Sequence, residues 1–228
     1  MPGLDQKTIR VIPTILQKLA DTLLNLSWPE VAEKIWQIGK KILQGFSGER
    51  MYEVLDYETT LELYDVKGTR ATLRKRERVR YLQDSIIAYQ DQAWGDGEIL
   101  LAYHCTPGKA VDFYRSGYKT HILISRREVK HKGDIDEYHI DWGMRKGFLK
   151  PVGFWETEVS HRTKHITVQV IFPKSRPPFK ISIEERNQKR TYFLGEGSRT
   201  RLPDGRWQIV WEQSQPRLYE RYVLKWEW

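Results

Sequence analysis

Along most of this chain apolar side chains recur at every second position. Ile166, Val168, Val170 and Phe172 share one face of an extended segment, with Thr167 and Gln169 on the other. Ile181 and Ile183 repeat the pattern, as do Trp207, Ile209 and Trp211. The last residues place Leu218, Tyr222, Leu224, Trp226 and Trp228 on one side. Successive side chains of a strand point to opposite faces, so this period marks half-buried antiparallel strands. Strands are expected over 51–57, 60–65, 69–81, 100–105, 119–125, 138–142, 153–159, 165–172, 179–185, 190–194 and 206–212, followed by a C-terminal one. Residues 153–159 and 165–172 read as one hairpin, and 179–185 with 190–194 as another. Pro203-Asp204-Gly205 is a tight-turn signal. The polar stretch 85–97 reads as a long loop, and Pro173 to Pro178 as a crossover or an edge, since proline cannot donate to a ladder. Residues 51–228 are therefore expected to form an antiparallel β-sandwich or an open barrel.

The first 46 residues follow a different period. Ile12, Ile15, Leu16, Leu19, Leu23 and Leu26 step by three and four, as on one helical face. Ser27-Trp28-Pro29-Glu30 has capping-box spacing, and Val31, Ile35, Ile38 and Ile42 carry a second stripe. Trp28 and Trp36 fall near the apolar seam. The pattern predicts a helical hairpin over 1–46, ahead of the β domain at 51–228. Short helices bury little alone and finish their core against another surface, either the β domain or another chain. Ile12, Leu16, Leu19, Leu23, Trp28, Ile35, Trp36 and Ile42 are the candidate contacts for self-association or a protein partner. Lys34, Lys40 and Lys41 would suit an anionic membrane surface, but Glu30 and Glu33 on the same helix weaken that alternative.

Composition narrows the setting. A hydrophobic content of 39% beside 30% charged residues belongs to a globular chain. The single Cys105 excludes an internal disulfide and points to a reducing, cytoplasmic compartment. No secretory leader or membrane-spanning run is read from the sequence.

The net charge of +8 has a local source. In an extended chain Arg74, Arg76, Arg78 and Arg80 share one face, and Lys75, Glu77, Val79 and Tyr81 the other. With Arg70, such a row can track a phosphate backbone. It can equally pair with acids on neighbouring strands, such as Glu58, Glu62 and Asp65. A second basic group, Arg126, Arg127 and Lys130, would extend an anion-binding surface if it lay beside the first. His104 and Cys105, adjacent on a strand, point to opposite faces and cannot act as a pair. His161 and His165 have no further ligands at metal-binding spacing. Asp134 and Asp136 share a face that could hold a divalent cation for nuclease chemistry, although no matched lysine or third carboxylate accompanies them. No cofactor signature is present: Gly95-Asp96-Gly97 precedes a strand, not a helix.

Leu63-Tyr64-Asp65, the run Arg78-Val79-Arg80-Tyr81-Leu82-Gln83-Asp84, and Ala88-Tyr89-Gln90-Asp91-Gln92-Ala93-Trp94-Gly95 resemble uncharacterised bacterial β-rich modules of multidomain signalling and defence proteins. The resemblance covers mainly residues 57–97 and implies no catalytic residue. It implies a bacterial intracellular module joined to a partner-binding segment. The expectation is a non-enzymatic binding or regulatory module. A nucleic-acid-binding protein, a metal-dependent nuclease and a membrane-active protein stand as alternatives. Deletion of residues 1–46 is expected to leave a folded β domain with altered assembly. Thermal unfolding and sedimentation of the truncated chain check this, and loss of cooperative unfolding at room temperature would place the segment in the core.

Overall fold

The computed structural model describes residues 51–228. The helical hairpin expected over 1–46, with its stripe from Ile12 to Ile42, lies outside the described residues. A seven-stranded sheet runs in the order β12 (Arg199–Arg201), β13 (Trp207–Ser214), β9 (His165–Phe172), β1 (Tyr52–Leu63), β2 (Arg70–Tyr81), β7 (Ile135–Arg145) and β4 (Glu98–Thr106). A four-stranded sheet runs β11 (Arg190–Phe193), β10 (Phe179–Glu185), β14 (Arg221–Glu227), β8 (Val152–Glu158). A three-stranded sheet runs β3 (Ile86–Ala93), β6 (Lys119–Lys130), β5 (Lys109–Ser116). The β1–β9 ladder is parallel, and every other ladder among the described strands is antiparallel.

Register carries one face across the large sheet. Trp211 lies opposite Val168, Val168 opposite Thr59, Thr59 opposite Lys75, and Lys75 opposite Ile140. Leu61, Leu73, Val170 and Phe172 share this face and are buried. Tyr222 of the four-stranded sheet packs on Trp211 at 5.1 Å between ring centroids, and Trp226 meets Phe172 edge-on at 5.4 Å. Tyr89 of the three-stranded sheet stacks on Tyr138 of β7 at 4.0 Å. Both small sheets therefore cover the same face, side by side. The molecule is a sandwich of one large layer against two small sheets, and its three sheets do not close into a barrel.

Several local expectations are corrected. Residues 51–57 and 60–65 are one strand, β1, because Thr59 points into the core and continues the alternation. Residues 85–97 are not a loop: β3 occupies most of them, with Ile86, Tyr89, Asp91 and Ala93 turned inward. A buried aspartate at an inward position disguised the strand's apolar face. Strands β5 and β12 were not anticipated. Residues 153–159 and 165–172 are not a hairpin, since β8 pairs with β14 while β9 joins β1 and β13 in another sheet. The β10–β11 hairpin forms as expected, the turn at Pro203-Asp204-Gly205 leads into β13, and Pro173 to Pro178 is the crossover between sheets. Among the described residues no helix is long and apolar enough to cross a membrane.

Two glycines fix the joints. Gly68 closes the β1–β2 turn at φ +67°, where a Cβ would collide with the Phe148 carbonyl. Gly153 lies flat against Trp226, and a Cβ there would stand 2.6 Å from the indole. That ring is buried and has no room to withdraw. The Gly153→Ala variant is expected to lose about 1–3 kcal/mol of stability by overpacking. Urea unfolding checks it, as a lower midpoint with an unchanged m-value.

Candidate functional site: a polar cleft between three sheets

Strand β2 alternates strictly, so its charged residues divide between the two faces of the large sheet. On the outer face Arg74 donates to Glu62 at 2.6 Å and Arg80 to Glu53 at 3.0 Å. Arg76 pairs with Asp56, with Glu58 at 3.1 Å and with Glu137 at 3.3 Å. Arg206 adds a second cation on Glu62. Register explains the pattern: Glu58 faces Arg76, while Asp56 and Glu137 flank Arg78. Asp65, a suggested partner, instead caps the β1–β2 turn by accepting from the backbone of Lys67, Thr69 and Arg70. Those three amides and the Thr69 hydroxyl, 2.8 Å away, hold its carboxyl below the ordinary range against the opposing effect of burial. Arg70 and Arg78 are exposed. The outer face is thus a two-signed lattice, not a bare cationic stripe.

The second basic group does not join the first. Arg126 and Lys130 of β6 meet Asp136 at 3.1 Å each, and Arg126 also pairs with Glu128. Asp136 lies opposite Val79 and shares its inward face. Arg126 and Lys130 therefore sit on the inner side of the large sheet, opposite the arginine row, and Arg127 is exposed. Asp136 also accepts from Tyr81 at 2.8 Å, so it anchors a network and does not face Asp134 across a cation site. Among the described residues no three His, Cys, Asp or Glu side chains converge as metal ligands. Cys105 is buried and His104 is exposed beside Asp141, on opposite faces as expected. His161 stacks on Tyr52 at 4.2 Å, whereas His165 lies near Thr167 and Ser214.

The inner face of β2 carries what sequence reasoning passed over. Lys75 and Glu77 point inward with Val79 and Tyr81, and their side chains are 6% and 7% exposed. Lys75 Nζ pairs with Asp91 of β3, whose side chain is fully buried, and lies 3.6 Å from Glu77. Tyr103 of β4 donates to the other Asp91 oxygen at 2.9 Å, and Tyr89 donates to Glu77 at 2.7 Å. Burial opposes the charge on Lys75, but Asp91 and Glu77 outweigh it and raise its pKa. Glu77 is shifted up, chiefly by desolvation, against the pull of Lys75 and the Tyr89 hydrogen bond. From Tyr89 the contacts continue through the Tyr138 ring to Tyr81 and Asp136. Tyr81 gives its single proton to Asp136, so in their 2.8 Å contact Tyr138 is the donor.

Above Lys75 and Glu77 the two small sheets leave a cleft. Its floor is Val54, Tyr57, Leu73, Lys75 and Trp142, and its walls are residues 89–94 around β3 and 155–161 around β8. The space measures about 70 Å³, the share of roughly two liquid waters. Three polar atoms of lining residues are buried without a protein partner: Trp142 Nε1, Trp155 Nε1 and Thr157 Oγ1. Lys119 of β6 spans the mouth, 3.4 Å from Gln92 and 2.6 Å from Glu158, with its ammonium 5.0 Å from the Trp94 ring. The signal in the sequence was two charged residues on the apolar face of a strand.

The raised pKa of Glu77 makes stability pH-dependent. A carboxyl that holds its proton more tightly when folded costs stability once pH climbs above its unfolded value of about 4.5 and through its folded one. In Glu77→Gln that segment disappears. The stability of the variant relative to wild type is therefore expected to rise from pH 4 to pH 8, measured by urea unfolding at each pH. A difference independent of pH would mean that Glu77 ionises as freely in the fold as in the unfolded chain.

No family model matches the chain, and no curated protein sequence matches it. Among solved structures, the M1 zinc metallopeptidase from Deinococcus radiodurans aligns at 9% identity over 79% of this chain and 45% of that one, with a TM-score of 0.46. A two-domain M1 zinc metallopeptidase variant bound to L-tryptophan aligns at 9% identity over the same shares, with a TM-score of 0.47. The chain thus spans less than half the length of these structures, and likeness at this level carries no argument about its activity.

Proposed function

We propose that the chain is a non-enzymatic binding module that takes its partner at the cleft between β3 and β8, not along the arginine row. The observation that carries this reading is the cleft itself, an opening between two strands that do not pair with each other, set over a charge cluster already matched within itself. Lys75, Asp91 and Glu77 satisfy one another and the surrounding tyrosines, which suits a rigid recognition floor better than groups that must exchange protons. Arg74, Arg76 and Arg80 have their charge answered by Glu53, Asp56, Glu58, Glu62 and Glu137, which leaves Arg70 and Arg78 as the exposed cations of the row and limits the counterions released on contact with phosphates. The likeness of residues 57–97 to bacterial signalling and defence modules supports a regulatory setting. In that setting the apolar stripes of residues 12–42 would serve as a second docking element.

The test sets the two surfaces against each other. At about 0.15 M salt, retention of duplex or single-stranded oligonucleotides is expected to be weaker than micromolar. Replacing Arg74, Arg76 and Arg80 by Gln should instead lower stability, by up to about 1 kcal/mol per arginine. Submicromolar retention that the triple replacement abolishes would transfer the function to the arginine row.

A further inference from the structure

The four-stranded sheet ends at β11 on the side away from the cleft and β8. The ladder of β11 with β10 is unbroken, and Leu194 continues it by donating to Ile181 at 2.8 Å. Antiparallel ladders bond alternate residues, so Arg190, Tyr192 and Leu194 turn their backbone groups to β10. Thr191 and Phe193 turn theirs outward. Among the described residues nothing answers these two N–H and two C=O groups. All four residues of β11 are exposed, and beyond its chain neighbours nothing stands within 4 Å of a Cβ placed on Gly195. Phe193, 80% exposed, is the most exposed large apolar side chain among the described residues. It lies on the outer face of the sheet, in register with Ser182, Lys225 and Phe154.

We propose that β11 pairs with β11 of a second copy of this chain, antiparallel about a two-fold axis at Tyr192. Thr191 then meets Phe193 of the second copy, and Phe193 meets its Thr191. The outward groups of the two strands exchange four hydrogen bonds, and none is left over. Neighbouring registers do worse. An axis at Phe193 would need the Gly195 carbonyl, which already accepts from the Ser198 N–H at 3.0 Å and its hydroxyl at 2.7 Å. An axis at Thr191 would need the Lys189 N–H, which already donates to Arg186 at 3.3 Å. The pairing joins two four-stranded sheets into one of eight strands. Because β11 and β8 are opposite edges, both molecules keep their clefts open.

The occupant is a second copy because the flanks of β11 complement themselves. Lys189 and Arg190 stand exposed at its start, with no acid against them among the described residues. Glu196 follows its end with a side chain 95% exposed. The two-fold brings one end to the other. Lys189 falls opposite Gly195 and Gln188 opposite Glu196, so the cations of each copy stand beside the acid of the other. Arg190 falls opposite Leu194, and no like charges meet. On the outer face Phe193 covers Thr191 of the second copy and reaches its Phe193 on the diagonal, about 7–8 Å away. A four-residue edge keeps the interface below the roughly 1,200 Å² of standard ones, so the dimer is expected to be weak and to form near about 0.1 mM.

The experiment uses the full chain, followed by sedimentation and amide hydrogen exchange at about 0.01 mM and about 1 mM. Exchange at Thr191 and Phe193 is expected to slow several-fold at the higher concentration. Tyr192 faces itself across the axis at a Cα separation of about 4.5 Å, within disulfide reach. Mild oxidation should therefore link Tyr192→Cys into a dimer far more readily than Thr191→Cys, whose thiols would stand on a diagonal. The wild type, with its buried Cys105, should not link. Lys189→Glu and Glu196→Lys should each weaken the dimer, and the two together should restore it, with melting temperatures of the dilute variants near that of wild type. A chain that stays monomeric at about 1 mM overturns the proposal. So does a dimer whose Thr191 and Phe193 amides exchange as in the monomer, which would place association on another surface such as residues 12–42. Equal linking of the two cysteine variants, or a double charge variant no tighter than the single ones, would overturn it as well.

Discussion

The Lys75–Asp91 ion pair fixes how the layers sit on one another. Taking each ion out of water costs several kcal/mol, and a buried pair recovers that only with good geometry and with its remaining hydrogen-bonding sites filled. Here both Asp91 oxygens are used, one by Lys75 and one by Tyr103, so β2, β3 and β4 meet at a single carboxylate. A shift of the three-stranded sheet by an ångström would leave a bare charge in the interior. Arg126 and Lys130 on Asp136 repeat the arrangement further along the same sheet. The three-stranded sheet is thus positioned by directional contacts. The four-stranded sheet is attached differently, through Trp226, Trp228 and Tyr222 on Phe172 and Trp211. Aromatic packing is strong but tolerant of small slides. The cleft lies along the boundary between the rigidly registered sheet and the tolerant one.

The tyrosines give the polar half its continuity. Tyr89 touches Glu77 through its hydroxyl and Tyr138 through its ring face, and Tyr138 passes the contact to Tyr81 and Asp136. Desolvation and the nearby carboxylates raise the pKa of Tyr52 and Tyr89 well above the ordinary value, so both remain neutral donors. Two carboxylates, Glu77 and Asp136, are thereby joined through neutral hydroxyls and ring faces.

The period of the side chains revealed most of the strands because a half-buried sheet must alternate. Strand β9 and the β10–β11 hairpin were legible for that reason, and the tight turn before β13 from Pro203-Asp204-Gly205. Where inward positions carry charge the same rule misled: Asp91 made β3 look like a loop, although Tyr89 and Ala93 share its face. The arginine row was placed on the correct face of β2, and the pairing of Glu58 and Glu62 with it followed from local charge balance. The cleft was not legible. Its walls come from strands that do not pair, and no short-range pattern relates Trp142 of β7 to Trp155 and Thr157 of β8. Nor could local sequence separate β8 from β9, since the partner of β8 is the last strand of the chain.

The parallel β1–β9 ladder bears on how the protein is made. Tyr57 to Glu62 of β1 pair with Ile166 to Ile171 of β9, and everything from β2 to β8 lies between them in sequence. During synthesis β1 can zip to β2 at once through a short turn, but its other edge stays bare until the chain has grown past β9. Loop closure of that length is slow and is repaid only after it is complete. In the interval the β1 edge, with Leu61 and Leu63 beside it, is an open template for any neighbouring chain. A higher concentration of nascent chains during this wait is therefore expected to lower the yield of native molecules.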